Sequence, residues 1–546
     1  MTEVYQQNRP IEGGYDAALG AVCKNGTFIG CESEGVTSFK GIPFARPPIG
    51  DLRWKEPVIA DDRDGVFEAL HNGPSAIQTK LDSERASFYF QSEDCLYLNV
   101  WTAVGFAQEK RPVMVFIHGG NYGWGGTADP LYDGHNFVKA HPDIVLVSIA
   151  YRLGIFGFMD FSRVPGGEDY SFSGNLGLLD QICALRYIKE NIRGFGGDPE
   201  NVTIFGESAG GGSVSLLPLI RSAKGLFNRV IAQSGSVALT YSREETLPLT
   251  RDLLKQTGAK SMAQLCALSE EELKSVNEKV GQINNFPERD GVILPEDPYA
   301  AYQKGEALPV DMLIGTNADE LRYWIFDIGG IGRYRFASEL LLNNILKQLD
   351  KTDRQRVKTF LQTQAKKGIS ERMFQITELF NELLFRLPAV AQAEAHAANR
   401  NRVYQYYWTY PSSLPDLKAC HAVELSYVFG NTDETIYTGP DPNRQLAKLV
   451  QQMWVNFAKT GNPSVKEEKW APYTKDNRNT MLIGDKTVVK SNWRETERAC
   501  LEPLLKYRVN GNSASSNPGV FLILKTAATA LAARIASWFS RPNREV

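Results

Sequence analysis

The chain carries almost no net charge. Its 60 Lys and Arg face 63 Asp and Glu, a formal −3 at pH 7. A nucleic-acid binder normally needs a basic excess on one face, so the balance argues against that class. A small anionic substrate held by one or two arginines is not excluded. Cysteine is sparse: Cys23, Cys31, Cys95, Cys183, Cys266, Cys420 and Cys500, an odd count with no C-x-x-C pair. That excludes a zinc ribbon and a thioredoxin-type motif. The stretch M-T-E-V-Y-Q-Q-N-R-P has no basic region followed by an apolar one. No secretory signal is therefore expected, and the reading is a cytoplasmic protein with mostly reduced thiols. Without export the acceptor patterns at Asn25 and Asn201 carry no meaning. There is no H-E-x-x-H and no P-loop, and the run Gly206 to Gly212 lacks dinucleotide spacing, so no metal and no cofactor are expected. No internal repeat is visible.

What is present is ordinary globular material. Of the 546 residues, 43% are hydrophobic and 23% charged, enough for a large core and too apolar for a disordered chain. At roughly 150 residues per domain, length alone would suggest about three or four units. Short strands are expected in 17–50. Apolar runs at Pro112–Ile117, Ile144–Ile149 and Val202–Phe205, flanked by glycine, read as buried parallel strands. Helical spacing appears at Leu178, Ile182, Leu185, Ile188 and Ile192, closed by Gly194. It recurs from Met373 to Leu384 before Pro388, and from Leu446 to Phe457 before Gly461. Strands alternating with helices predict an α/β sheet. Residues 510–518 read as a linker, which isolates a tail at 519–546.

The strongest chemical signal is Gly206-Glu207-Ser208-Ala209-Gly210 between a strand and a helix. A nucleophilic serine needs a sharp strand-to-helix turn that lifts Oγ above the sheet, with glycines where larger residues would clash. The helix start then offers N–H groups to developing negative charge. The other reading is a plain Gly/Ser turn. A second sign is His118-Gly119-Gly120-Asn121-Tyr122, after a strand and about 90 residues before Ser208. Small residues there allow backbone N–H groups to face a substrate oxygen, each worth ~10²–10³ in rate.

With these stretches together the chain resembles the type-B carboxylesterase/cholinesterase family of α/β-hydrolases. The matching segments are 41–50, 92–101, 118–122, 151–154, 175–181, 195–211 and 232–236, within a span from about 16 to 508. L-Y-D-G at 131–134 leans toward the bacterial para-nitrobenzyl-esterase-like branch. The resemblance implies an α/β-hydrolase fold over 1–509, with a large central mostly parallel sheet flanked by helices. It implies a serine carboxylesterase acting on a small-molecule ester without a cofactor.

The family order is Ser, Glu, His. Of six histidines, His421 lies in C-H-A-V-E-L-S-Y-V-F-G, which is similar to the family's histidine loop and makes it the general base. His396 sits in an Ala-rich helical stretch and reads as a helix position. The triad acid implied is Glu320, after M-L-I-G at 312–315; Leu321 replaces the family's usual Gly, and Asp319 stays as a weaker competitor. The oxyanion hole implied is the N–H groups of Gly120, Asn121 and Ala209. Asn121 stands where the family usually has Gly or Ala, which bears on the room left for a bulky substrate. Ser234 is similar to the family's serine near the triad acid, or is a simple turn serine. Activity is expected to fall as His421 protonates, near about 6.5 or shifted by its partner.

Other features depart from the relatives. Cholinesterases carry a Trp where this chain has Arg85, and a cation there would repel choline. The upstream cysteine that would pair with Cys95 is absent from 74–78. Phe88-Tyr89-Phe90 would line a gorge or simply pack. Glu93 with Arg46, and Asp180 with Arg152, resemble the family's scaffold ion pairs. Two alternatives remain at this point. One is a specialised detoxifying or polyester-cleaving hydrolase. The other is a non-catalytic binding protein of the neuroligin-like kind, against which the retention of Ser208, Glu320 and His421 speaks. In the tail, Lys525 and Arg534 each cost roughly 2.5–3.5 kcal/mol at a membrane centre, which argues against a span. Val520, Leu524, Leu531, Ile535 and Trp538 share a helical stripe. The tail then either docks on its own chain or contacts a partner or a membrane surface.

Overall fold

The structure is a computed structural model that describes residues 7–78, 88–280, 285–327, 330–466 and 468–507. The 510–518 linker, the 519–546 tail and Arg85 lie outside the described residues.

One sheet of eleven strands organises the chain. In sequence order they are β1 (Cys31–Ser33), β2 (Val36–Pro43), β3 (Tyr97–Ala103), β4 (Arg111–Ile117), β5 (Val145–Ile149), β6 (Gly197–Glu207), β7 (Arg229–Gln233), β8 (Asp311–Asn317), β9 (Val403–Trp408), β10 (Thr480–Ile483) and β11 (Val488–Lys490). Across the sheet the order is β1-β2-β3-β5-β4-β6-β7-β8-β9-β10-β11. The strands from β5 to β10 run parallel, and the outer ladders are antiparallel. The expected large, mostly parallel sheet is therefore present, as are short strands within 17–50.

Side-chain alternation on these strands builds two cores. Val113, Val115 and Ile117 of β4 join one, while Met114 and Phe116 join the other. Ile204 and Phe205 of β6 divide the same way. Helices cover both faces because the strands are apolar on both. Helix α1 (Leu176–Asn191) is buried along most of its length. A later helix, Arg444–Thr460, starts where the Asn443 side chain accepts from the Leu446 N–H, and stops at Gly461, whose φ is 71°. Its Val450, Met453, Trp454 and Phe457 are fully buried, each worth about 1.5–3 kcal/mol of transfer energy.

A third core holds a helical layer: Ile331–Gln348, Lys351–Lys366 and Arg372–Phe380, with Leu501 and Leu504 packed on it. Two expectations change here. The helix after Leu176 is not closed by Gly194; a 3-10 turn continues to Phe195, and Gly196 at φ 76° ends it. The helix before Pro388 does not stop there either. A π-helical turn, Asn381–Arg386, carries the chain straight into Leu387–Ala398. Pro388 falls in the first turn of that segment, directly after the wider π turn, so the change of register coincides with a residue that has no N–H to donate.

The scaffold ion pairs are corrected in part. Arg152 and Asp180 do pair, fully buried, at 2.6 Å. Glu93, however, pairs with Arg53 at 2.5 Å, and Arg46 turns outward to Asp61.

Candidate active site

The site loops all leave the carboxyl ends of neighbouring parallel strands. β4 and β6 lie side by side in register, Ile117 against Gly206, yet the chain leaves β4 toward β5 on its other side. This is a topological switch point, where open α/β sheets place their ligands. Strand β7 carries Gln233 beside Glu207, and β8 carries Gly315 beside Gln233. Ser208, Ser234 and Glu320 therefore emerge from adjacent strands.

Ser208 has φ 58° and ψ −120°, outside the regions an L-residue favours, at a cost of order 1–3 kcal/mol. The turn is held by the Ser208 N–H, which donates to Gln233 O at 2.9 Å. Only glycine fits the flanks. A Cβ on Gly210 would stand 1.9 Å from Ile117 O, and one on Gly206 2.6 Å from the same atom. Ala209 opens the following helix, Ala209–Leu216, so its N–H has no acceptor within that helix. The loop 118–122 lies against Ser208: a Cβ on Gly119 would be 3.1 Å from the Ser208 Cβ. Gly120, Asn121 and Tyr122 all have positive φ, at 94°, 56° and 56°. Asparagine tolerates that conformation better than most residues with a Cβ.

Glu320 and His421 meet directly. Glu320 Oε2 is 2.6 Å from His421 Nδ1, which must be the protonated nitrogen because a carboxylate only accepts. The other oxygen, Oε1, accepts from the Ser234 hydroxyl at 2.6 Å and the Asn317 N–H at 2.7 Å. Asp319, the competitor, faces away; it pairs with Arg322 at 3.1 Å and accepts from the Ala419 N–H. Leu321 needs no glycine-like conformation, since the loop turns as a 3-10 segment, Glu320–Arg322, and its φ is not positive. Among the described residues the Ser208 hydroxyl makes no hydrogen bond. The Nε2 of His421 instead lies 3.1 Å from Oε1 of Glu207, the residue just before it. In ligand-free structures catalytic hydrogen bonds are often long, so this does not remove His421 as the partner of Ser208.

Glu207 and Glu424 are the site residues that motif reading passed over. Glu207 was only the variable letter inside G-x-S-x-G. Glu424 accepts from Asn317 Nδ2 at 2.6 Å and from Gln233 Nε2 at 3.1 Å. Three buried carboxyl groups thus surround one buried imidazole. Burial pushes the Glu207 carboxyl well up, only partly opposed by the His421 charge; Glu424 is raised for the same first reason. Burial pulls His421 down, but the charges of Glu207 and Glu320 and the Glu320 hydrogen bond outweigh it and raise its pKa above the ordinary 6.5. The rings of Phe385, Trp324 and Tyr323 stand 5.1, 5.4 and 6.0 Å from that imidazole. They form an aromatic wall beside that ring.

Two other buried histidines are held by the scaffold. His118 is buried and held near a pKa of about 4 by desolvation, so it is neutral at pH 7. It stacks on Tyr151 at 4.4 Å and donates from Nδ1 to Gly119 O. His396 donates from Nε2 to Val310 O at 2.8 Å inside the core. Among the described residues no three or more His, Cys, Asp or Glu side chains are grouped to hold a metal.

The chain is similar to known proteins over most of its length. Residues 20–501 match the profile of the Carboxylesterase family. The chain is 35% identical over 495 residues to the para-nitrobenzyl esterase of Bacillus subtilis strain 168, an overlap of 87% of this chain and 96% of that one. It is 33% identical over 554 residues to mouse (Mus musculus) neuroligin-2, covering 90% of this chain and 64% of the relative. A solved carboxylesterase of Geobacillus stearothermophilus superposes with a TM-score of 0.79 at 33% identity, covering 88% of this chain and 99% of that one.

Proposed function

The chain belongs to the carboxylesterase family and is a carboxylic ester hydrolase; on that premise we propose that Ser208 is its nucleophile, His421 its general base and Glu320 the triad acid. The observation that carries the proposal is the strained Ser208, raised on its turn directly after Glu207, whose Oε1 lies 3.1 Å from an imidazole bonded at 2.6 Å to a buried carboxylate. His421 takes the Ser208 proton as Oγ attacks the ester carbonyl. Glu320 fixes the tautomer and stabilises the imidazolium. The N–H groups of Gly120, Asn121 and Ala209 hold the oxyanion of the tetrahedral intermediate. His421 then protonates the leaving alcohol, and water repeats the cycle on the acyl-enzyme. Ser234 acts through Glu320, whose second oxygen it occupies.

The substrate reading is a small carboxylic ester. A panel of p-nitrophenyl esters of rising acyl length separates a broad esterase from a specialised detoxifying or polyester-cleaving one. Covalent labelling by an organophosphate, followed by mass mapping, tests the nucleophile. Ser208→Ala is expected to abolish turnover of p-nitrophenyl butyrate while the protein stays folded, leaving at most the ~10³–10⁴-fold residual over water that binding and the oxyanion hole supply. Near wild-type turnover, or label on another residue, overturns the assignment.

Two coarser points belong with this reading. All seven cysteines are unpaired, which supports a reducing, cytoplasmic compartment. Among the described residues no helix is long and apolar enough to cross a membrane. The catalytic unit is taken as 1–509, and the tail beyond the linker as an amphipathic segment that either docks on its own chain or contacts a partner or a membrane surface. Truncation after Asn510 is then expected to leave kcat on a soluble ester nearly unchanged and to lower binding to anionic liposomes or alter oligomeric state. Loss of kcat in a folded truncation assigns the tail to the catalytic unit instead.

A further inference from the structure

The π-helical turn Asn381–Arg386 reaches both the loop that carries Glu320 and the His421 ring. At its start, the buried Asn381 side chain reaches the loop that carries Glu320. Its Oδ1 accepts from the Leu321 N–H at 3.0 Å, and its Nδ2 donates to Ala318 O at 3.1 Å. These two backbone groups bracket Asp319 and Glu320. At the other end of the same turn, the Phe385 ring stands 5.1 Å from the imidazole. An N–H only donates and a carbonyl only accepts, so the bracket needs one acceptor and one donor from one short side chain. Asparagine supplies both. Aspartate keeps the acceptor and loses the donor; alanine loses both.

The turn itself is anchored. Glu382 Oε2 pairs with Arg386 within it at 2.5 Å, and Arg494 pairs with Glu382 and Glu378 at 2.8 Å each. Asn381 is therefore presented from a fixed base rather than from a loose loop. The Leu321 N–H lies in the first turn of a 3-10 segment, where no backbone acceptor is available to it. Single-turn π segments inside helices frequently occur at functional sites, and this one has a definite task.

We propose that Asn381 is a positioning residue for the triad acid, fixing the Glu320 loop through Ala318 O and Leu321 N–H so that the carboxylate meets His421 Nδ1. The proposal rests on Glu320 being the acid, and the test separates the two. Asn381→Ala is expected to lower kcat for p-nitrophenyl butyrate about tenfold to a hundredfold, the scale of a small misplacement, with KM little changed. Its acid limb is expected to shift to lower pH, because a looser Glu320 raises the His421 pKa less. In a Glu320→Gln background the same substitution is expected to cost almost nothing further in kcat. An equal loss in both backgrounds, or wild-type kcat and pH profile in the folded variant, overturns the proposal while leaving the triad standing. Wild-type activity in Glu320→Gln alone overturns the triad and the proposal together. Should Asn381→Ala fail to fold, as read by thermal unfolding, Asn381→Asp keeps the volume and the acceptor. At pH 8 its kcat is expected to fall with KM retained, and full kcat there overturns the proposal.

Discussion

His421 Nε2 lies 3.1 Å from Glu207 Oε1, so the atom proposed to receive the Ser208 proton already neighbours a carboxyl group. Both groups are buried, and each shifts the other's titration. Their protons come off in steps that belong to the pair. A general base works only when deprotonated. Because the His421 pKa is raised, activity is expected to fall as pH drops through a midpoint above 6.5, rather than at it. Glu207→Gln removes one of the charges that raise the imidazole. Its acid limb should therefore move to lower pH in a kcat/KM profile. A limb at the same pH or higher shows that Glu207 does not act on His421.

The two adjacent acidic residues of the Glu320 loop differ in what they touch. Glu320 holds the imidazole, while Asp319 is occupied by Arg322 and the Ala419 N–H. Glu320→Gln is expected to lower kcat by about 10⁴, the scale seen when a triad carboxylate becomes an amide. Asp319→Asn should cost far less, and chiefly in thermal stability. Steady-state kinetics on both variants checks this, and the reverse ranking moves the acid to Asp319.

The legible part of the protein was the part written in local pattern. Strand β4 shows as Pro112–Ile117 because both of its faces are buried, so it reads as an unbroken apolar run. The Ser208 turn shows because its glycines are forced by contacts with Ile117 O. What stayed hidden depends on pairing across the fold. Choosing Arg53 over Arg46 as the partner of Glu93 requires knowing where 40 residues of chain return. Asn381 meets the Glu320 loop from 60 residues away, and nothing in its own neighbourhood marks it. The π turn hid for another reason: its side chains keep the helical rhythm up to Pro388, and only the backbone register changes.

The loop proposed to hold the oxyanion allows no side chain at Gly120. Its φ is 94°, and a Cβ there would stand 2.0 Å from Trp124 O. The Gly120 carbonyl also accepts from the Gly123 and Trp124 N–H groups, so the loop has little freedom to move aside. Gly120→Ala is expected to displace the donors and cost about 10²–10³ in kcat, the worth of one oxyanion contact. Far-UV and near-UV circular dichroism, alongside kcat, separate local displacement from unfolding. A folded variant with unchanged kcat removes Gly120 from the hole.

The corrected ion pair gives a stability contrast between two arginines seven residues apart. Arg53 is buried and bidentate to Glu93, at 2.6 Å from Nε and 2.5 Å from Nη2, and its Nη1 donates to Cys266 O and Leu268 O. Arg46 pairs with Asp61 where both side chains are half exposed or more. Removing one partner of a buried pair strands the other charge, so Arg53→Ala should cost about 3–5 kcal/mol. The exposed pair pays side-chain entropy and is screened, so Arg46→Ala should cost roughly 0–1 kcal/mol. Urea unfolding at fixed pH measures both from the shift in midpoint at constant slope. If Arg46→Ala is the more damaging, the scaffold role returns to the Arg46 side of the loop. A double substitution, Arg53→Met with Glu93→Leu, supplies the second half of the argument. Replacing both charges with apolar groups of similar size leaves no stranded carboxylate. It should therefore recover most of the loss, limited by the Cys266 and Leu268 carbonyls that no longer find a donor.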